Sequence, residues 1–269
     1  MTQTKSVYGT EAIAAMFEQA KAENRAAFLP YFPIGYPTYE ESLEAIKGMA
    51  DEGVDGFEIG VPFSDPLADG PVIQAATQVA LENGITVRKC LEGVRTLRER
   101  GVTQPMLLMG YYNPILAYGI EEFVHDAREA GADGLIVPDL PPDEAHDLEQ
   151  ACSKAGLAMV FFIAPTSNPE RIKLAASKAT GFIYVVSLTG VTGVRRELPP
   201  DLREFIGGLK QYTDRPLVLG FGISTPEHAR SMNGLLDGFI VGTALVRAGK
   251  DGAAAVKSLA GSLRKALDS

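Results

Sequence analysis

Short, almost wholly apolar runs alternate along the chain with longer stretches of amphipathic period. The runs span residues 27–34, 56–61, 106–112, 134–138, 158–163, 181–187, 216–221 and 238–242. Each is apolar at successive positions, as in parallel strands covered by helices on both sides. Helical periodicity is predicted over 40–51, 72–82, 86–100, 120–130, 143–155, 169–178, 201–212 and 226–232, with a last stretch over 252–267. The leader MTQTKSVYGTEAIAAMFEQAKAENR reads as one further amphipathic helix. Four runs are entered through DEGVDG, EAGADG, SKAGLA and NGLLDG, where glycine supplies the left-handed residue that ends a helix. Eight strand–helix cycles predict an α/β fold, a single (β/α)8 TIM barrel with right-handed crossovers and an extra N-terminal helix, filling 1–269 as one domain. A doubly wound open sheet is the alternative, but the glycine fingerprint of a dinucleotide site is missing.

Composition removes several function classes. The net charge of −9 argues against nucleic acid or an anionic membrane surface as partner. A phosphorylated substrate stays possible, because backbone amides bind phosphate without basic side chains. No apolar run reaches the roughly 18 residues of a membrane span. The N-terminus has neither a signal nor a transit pattern, so a soluble, cytoplasmic protein is expected. Cys90 and Cys152 fall in helical contexts without CxxC spacing and read as buried free thiols. His125, His146 and His228 are scattered without metal-ligand spacing, so no metal site is expected.

The stretch 56–71, GFEIGVPFSDPLADGP, carries the first candidate chemistry. Alternation in its strand points Glu58 the same way as Gly60 and opposite to Phe57 and Ile59. A carboxylate in so apolar a strand is costly to bury without a partner. The chain then passes Ser64 and Asp65 and delivers a second carboxylate, Asp69, just before Pro71, which suits the first turn of a helix. A blander reading makes this a tight connection in which Asp65 or Asp69 only caps that helix. In a barrel, active-site residues come from strand C-termini and the loops beyond them, and both Glu58 and Asp69 meet that condition.

The exit of the sixth strand, YVVSLTGVTGVRR, turns into a Gly/Thr-rich loop of the kind that forms lids. Tyr184 shares the parity of Val186, so its hydroxyl either faces the site or is satisfied in the core. GFGIS ends the seventh strand and VGTAL the eighth, the two positions where barrels commonly bind phosphate through glycine backbone and a short helix. Thr243 would cap that helix or bond the phosphate. No P-loop, G-x-S-x-G elbow or HExxH is present, and no lysine ends a strand in a Schiff-base position. A carboxylate-based lyase or isomerase of a phosphorylated substrate survives these exclusions.

FEIGVPFSDPLADGPVIQ, MLLMGYYNPI, VPDLP, GVTG, GFGIS and VGTA, in that order, closely resemble the tryptophan synthase α subunit over about residues 12–263. The resemblance implies a (β/α)8 barrel with additional short helices. It implies the retro-aldol cleavage of indole-3-glycerol phosphate to indole and glyceraldehyde 3-phosphate. It also implies a tryptophan synthase β subunit as partner in an α2β2 assembly, with pyridoxal phosphate only in that subunit and no cofactor in this chain. Glu58 matches the family's catalytic glutamate, Asp69 its second acid and Tyr184 a supporting tyrosine. Tyr31, Met109, Tyr111, Ile136 and Phe221 would line the indole pocket. Gly193, Gly222, Gly242 and Thr243 would hold the phosphate, and Thr192 would hydrogen-bond Asp69 when the lid shuts. Tyr31, Met109 and Thr243 depart mildly from the commoner phenylalanine, leucine and serine. A stand-alone indole-3-glycerol-phosphate lyase shares every catalytic residue. A silent paralogue kept as an allosteric partner does not fit the intact Glu58 and Asp69.

Overall fold

The computed structural model describes residues 8–186, 201–220 and 222–268. Strands β1 (Ala27–Pro33), β2 (Phe57–Gly60), β3 (Met106–Met109), β4 (Gly134–Ile136), β5 (Ala158–Ile163), β6 (Ile183–Val186), β7 (Leu217–Gly220) and β8 (Gly238–Val241) close in sequence order into a parallel barrel. Helix α1 (Thr10–Ala22) precedes them. The connections carry α2 (Tyr39–Asp51), α3 (Pro71–Glu82), α4 (Val87–Glu99), α5 (Tyr112–Tyr118), α6 (Ile120–Ala130), α7 (His146–Ala155), α8 (Pro169–Lys178), α9 (Asp201–Leu209) and α10 (Pro226–Arg230). After β8 come α11 (Thr243–Ala248) and α12 (Ala253–Lys265). The barrel expected from the pattern is therefore present. The apolar run 106–112 is corrected: its ladder stops at Met109, and Tyr112 already opens α5.

Register fixes which side chains face inward. Tyr31 pairs in turn with Glu58, Leu107, Gly134 and Ala158. Phe162, four residues after Ala158, pairs with Tyr184, and the ladder continues through Val218 and Gly238 to Ala27, four residues before Tyr31. One circuit thus displaces the register by eight residues, the stagger that lets eight tilted strands close around a packed interior.

Thr38, Thr86, Asn168 and Thr225 accept a backbone N–H at the starts of α2, α4, α8 and α10, satisfying donors the helix leaves free. Gly131 and Gly156 stand in the left-handed region after α6 and α7, as the repeated turn strings lead one to expect. At the bottom of the barrel α1 acts as a plug. A Cβ on Gly56 would stand 2.8 Å from Met16 Sδ, and one on Gly238 3.2 Å from the Phe17 ring. Asp133, fully buried, pins the same end: its carboxylate accepts from Gly9 N at 2.7 Å, Met106 N at 2.8 Å and Arg98 Nη2 at 2.5 Å. The strands' C-termini, and with them the described candidate site residues, lie at the opposite end.

Candidate active site

Glu58 projects from β2 into the barrel at 2 % exposure. Its Oε2 has no hydrogen-bond partner among the described residues. Burial pushes its carboxyl up to about 8, and the neighbouring Asp69 charge adds to the rise. Asp69 arrives from the loop after β2. Burial pushes it up to about 6, opposed by a hydrogen bond from the Tyr111 hydroxyl at 3.0 Å. Tyr111 sits one residue before α5 and also accepts Ala68 N at 3.0 Å, so one phenol ties down both the carboxylate and its loop. Asp69 does not cap α3: Gly70 holds the cap position, and Asp69 contributes only its backbone carbonyl, to Gln74 Nε2 at 2.8 Å. The capping alternative is thereby removed for Asp69. At neutral pH the pair consists of a protonated Glu58 beside an ionised Asp69.

Two further phenols face this pair. Tyr184, on β6, stacks on Phe162 with ring centroids 4.5 Å apart, and its ring fills the space a side chain at Gly220 would occupy. Burial, then the charges of Glu58 and Asp69, hold its phenol well above the usual range. Tyr31, level with Glu58 on β1, is raised likewise by burial, with Asp69 and Glu58 adding. The Tyr184 ring is thus packed in the core, and its electrostatic neighbours are the two acids. Met109 and Ile136 pair with each other one level above Glu58, alongside Gly60, and give the wall its apolar surface.

At the far side of the mouth, Gly222 follows β7 with φ +89°, and Gly242 follows β8 as the residue before α11. Gly242 holds the cap position and Thr243 is the first helical residue, which removes capping from the two alternatives for Thr243. A Cβ on Gly242 would stand 3.4 Å from Tyr31, so Gly242 and the acid pair share one wall. Thr192, Gly193 and Phe221 lie outside the described residues. Sequence reasoning missed Phe162, whose inward parity with Ala158 and Val160 could have shown it, and Phe63, whose ring lies tilted against Tyr111 with centroids 5.3 Å apart and whose irregular loop left no such signal. Cys90 and Cys152 are buried free thiols, and the described residues hold no cluster able to bind a metal. No described helix is long and apolar enough to cross a membrane.

Comparison with known proteins places the chain in a family. The family model described as tryptophan synthase alpha chain matches residues 17–266. A tryptophan synthase alpha chain from Roseiflexus sp. is 50% identical over 234 residues, covering 87% of this chain and 90% of the relative. A Mycobacterium tuberculosis tryptophan synthase structure superposes with a TM-score of 0.90 at 37% identity, covering 96% of this chain and 98% of that one. A tryptophan synthase alpha chain structure from Legionella pneumophila gives 0.88 at 35% identity, covering 96% and 97%. With its closed barrel, its inward Glu58 and a match along nearly its whole length, this chain belongs to the tryptophan synthase alpha chain family.

Proposed function

We propose that Glu58 and Asp69 are the acid pair that cleaves indole-3-glycerol phosphate, with Tyr184 in support. The reaction is that of the family: a lyase step of tryptophan biosynthesis yielding indole and glyceraldehyde 3-phosphate. The observation that carries the assignment is the split between the two carboxyls, Glu58 at about 8 and Asp69 at about 6. Groups whose environments push their pKa values apart can act as acid and base in one site. Protonated Glu58 gives its proton to indole C3, and the ring nitrogen becomes cationic. Ionised Asp69 accepts the ring N–H and stabilises that charge. Glu58, now a carboxylate, takes the proton of the adjacent glycerol hydroxyl. The carbon–carbon bond breaks, its electrons restore the indole ring, and the hydroxyl carbon leaves as the aldehyde.

Tyr31, Met109, Tyr111 and Ile136, with Phe221, form the indole wall, where flat apolar surfaces suit the heterocycle. Gly222, Gly242 and Thr243, with Gly193, take the phosphate through backbone N–H groups, and Thr192 closes on Asp69. The chain acts as one domain over 1–269, in the cytoplasm, without a cofactor of its own. Its partner is a tryptophan synthase β subunit in an α2β2 assembly, which holds the pyridoxal phosphate and receives the indole. Leu67, 93 % exposed at the tip of the loop that carries Asp69, supports a docking surface there. The test is turnover of indole-3-glycerol phosphate by the purified chain with and without a β subunit. Slow cleavage that the β subunit accelerates supports the assembly, and full cleavage without it supports the stand-alone lyase. No cleavage in either condition would overturn the assignment.

A further inference from the structure

The exits of β2, β3 and β4 run side by side at the mouth: Val61 N donates to Met109 O at 2.8 Å, and Gly110 N to Ile136 O at 3.1 Å. Beyond β4 the motif VPDLP makes a tight turn, closed by Leu140 N on Val137 O at 3.2 Å, and leaves Asp139 exposed on it. VPDLP supplies none of the acid pair and none of the indole wall, yet Asp139 reaches the neighbouring exit. Tyr112 N, the first helical donor of α5, donates to Asp139 Oδ1 at 3.0 Å and to its Oδ2 at 3.2 Å. α5 has no side-chain cap of its own, so Asp139 satisfies from another loop a donor that the helix start leaves free. Its negative charge also suits that end of a helix. Just before α5 stands Tyr111, whose hydroxyl donates to Asp69 Oδ2 at 3.0 Å and accepts from Ala68 N at 3.0 Å. The Tyr111 ring is not wedged on every side: an apolar cavity of about 10 Å³ borders it, lined also by Val61, Pro114 and Ile115. Its placement therefore depends on where its backbone is held.

We propose that Asp139 is a positioning residue for the cleavage: by accepting Tyr112 N it fixes the start of α5, and through the Tyr111 hydroxyl it keeps the Asp69 carboxylate aimed beside Glu58. This rests on the assignment of Glu58 and Asp69 as the acid pair. One chain of hydrogen bonds then joins three loops, from the exit of β4 through Tyr112 and Tyr111 to the loop after β2. The other groups that face Asp69 are Glu58 on β2, Tyr31 on β1 and Tyr184 on β6. Burial and then the Asp69 charge keep the Tyr111 phenol protonated, and the Asp139 charge adds to this, so Tyr111 stays a donor. Gln74 Nε2 separately holds the Asp69 carbonyl at 2.8 Å, so losing the Tyr111 bond frees the carboxylate without releasing its backbone. Small displacements of a reacting group are expensive: about 1 Å can cost on the order of a hundredfold in rate.

The experiment is steady-state cleavage of indole-3-glycerol phosphate across pH by the full chain, with and without β subunit, beside a melting curve of each variant. It compares wild type, Asp139→Ala, Asp139→Asn, Tyr111→Phe, the Asp139→Ala/Tyr111→Phe double variant and Glu58→Gln. Asp139 is exposed, so Asp139→Ala loses no core packing and should fold. It should lower kcat about tenfold with KM little changed, a modest share of that misplacement cost. Asp139→Asn keeps an oxygen able to accept Tyr112 N and should match wild type. The acid limb of kcat in Asp139→Ala should move to higher pH, as in Tyr111→Phe, because Asp69 loses the bond that opposes its rise. The double variant should be no slower than the slower single one, because both break the same chain. A lower melting temperature with kcat and its acid limb unchanged would make Asp139 a helix cap only, which overturns the proposal. Single effects that multiply, an Asp139→Asn as slow as Asp139→Ala, or a loss confined to assays containing β subunit overturns it too. Any of these beside an inactive Glu58→Gln removes Asp139 and leaves the acid pair standing, whereas an active Glu58→Gln removes the acid pair itself.

Discussion

The Glu58 carboxyl owes its proton at neutral pH to its place on an inward strand position with one oxygen unbonded. That has a thermodynamic consequence. The unfolded chain releases this proton above the ordinary value of 4.5, while the folded chain keeps it to about 8. Where the folded state binds more protons, stability falls as pH rises, so the penalty grows across that window and is absent below it. Glu58→Gln cannot ionise. It should therefore melt higher than wild type at pH 8, by an amount reflecting a few kcal/mol at most, and the gap should close near pH 4.5. A gap that does not depend on pH would contradict the burial account. Tyr111→Phe addresses the partner acid. Loss of the bond that lowers Asp69 should carry its titration above about 6, so the acid limb of kcat moves to higher pH. Glu58 and Asp69 were legible in the sequence, because alternation aims the first inward and Gly70-Pro71 places the second beside a helix start. The Tyr111–Asp69 bond was not, since it joins positions 42 residues apart and depends on how two loops fold over one mouth.

Elements longer than about two turns announced themselves through periodicity, whereas α5 and α11 did not. α5 begins on Tyr112, the last residue of the apolar run MLLMGYY, which masks its start, and α11 has only 6 residues. Strand ends were overestimated for a related reason: Val61 and Gly110 continue the apolar pattern after the strands β2 and β3 have ended. What periodicity cannot show is how a glycine on one strand makes room for a ring on the next. Gly220 on β7 is the clearest case, because any side chain there overlaps the Tyr184 ring. Gly220→Ala should push Tyr184 off the Phe162 stack, costing about 1–3 kcal/mol of stability as overpacking usually does. Cleavage should slow in the same variant. Chemical denaturation and a steady-state assay read the two effects, and wild-type behaviour in both would deny the ring its place.

The whole molecule separates a stabilising floor from a reacting mouth, as barrels do. The floor depends on Asp133, which holds the N-terminal segment, β3 and Arg98 together. Asp133→Ala would leave Arg98 without its buried partner, which typically costs about 3–5 kcal/mol. Denaturant unfolding should register that loss, while kcat at 25 °C stays near wild type because no mouth residue is touched. A comparable loss of kcat would mean that floor and mouth are coupled. The barrel itself was legible from eight apolar runs, whereas the closure of its register was not, since it is a property of all strands at once. The most direct test of the account is the pH dependence of cleavage by wild type and Glu58→Gln, with β subunit present. Wild type should give a bell with limbs near 6 and 8, set by Asp69 and Glu58. Glu58→Gln should bind substrate yet cleave it at least about a hundredfold more slowly at every pH, as loss of a general acid–base predicts. A variant that keeps more than about a tenth of the rate would contradict the role of Glu58.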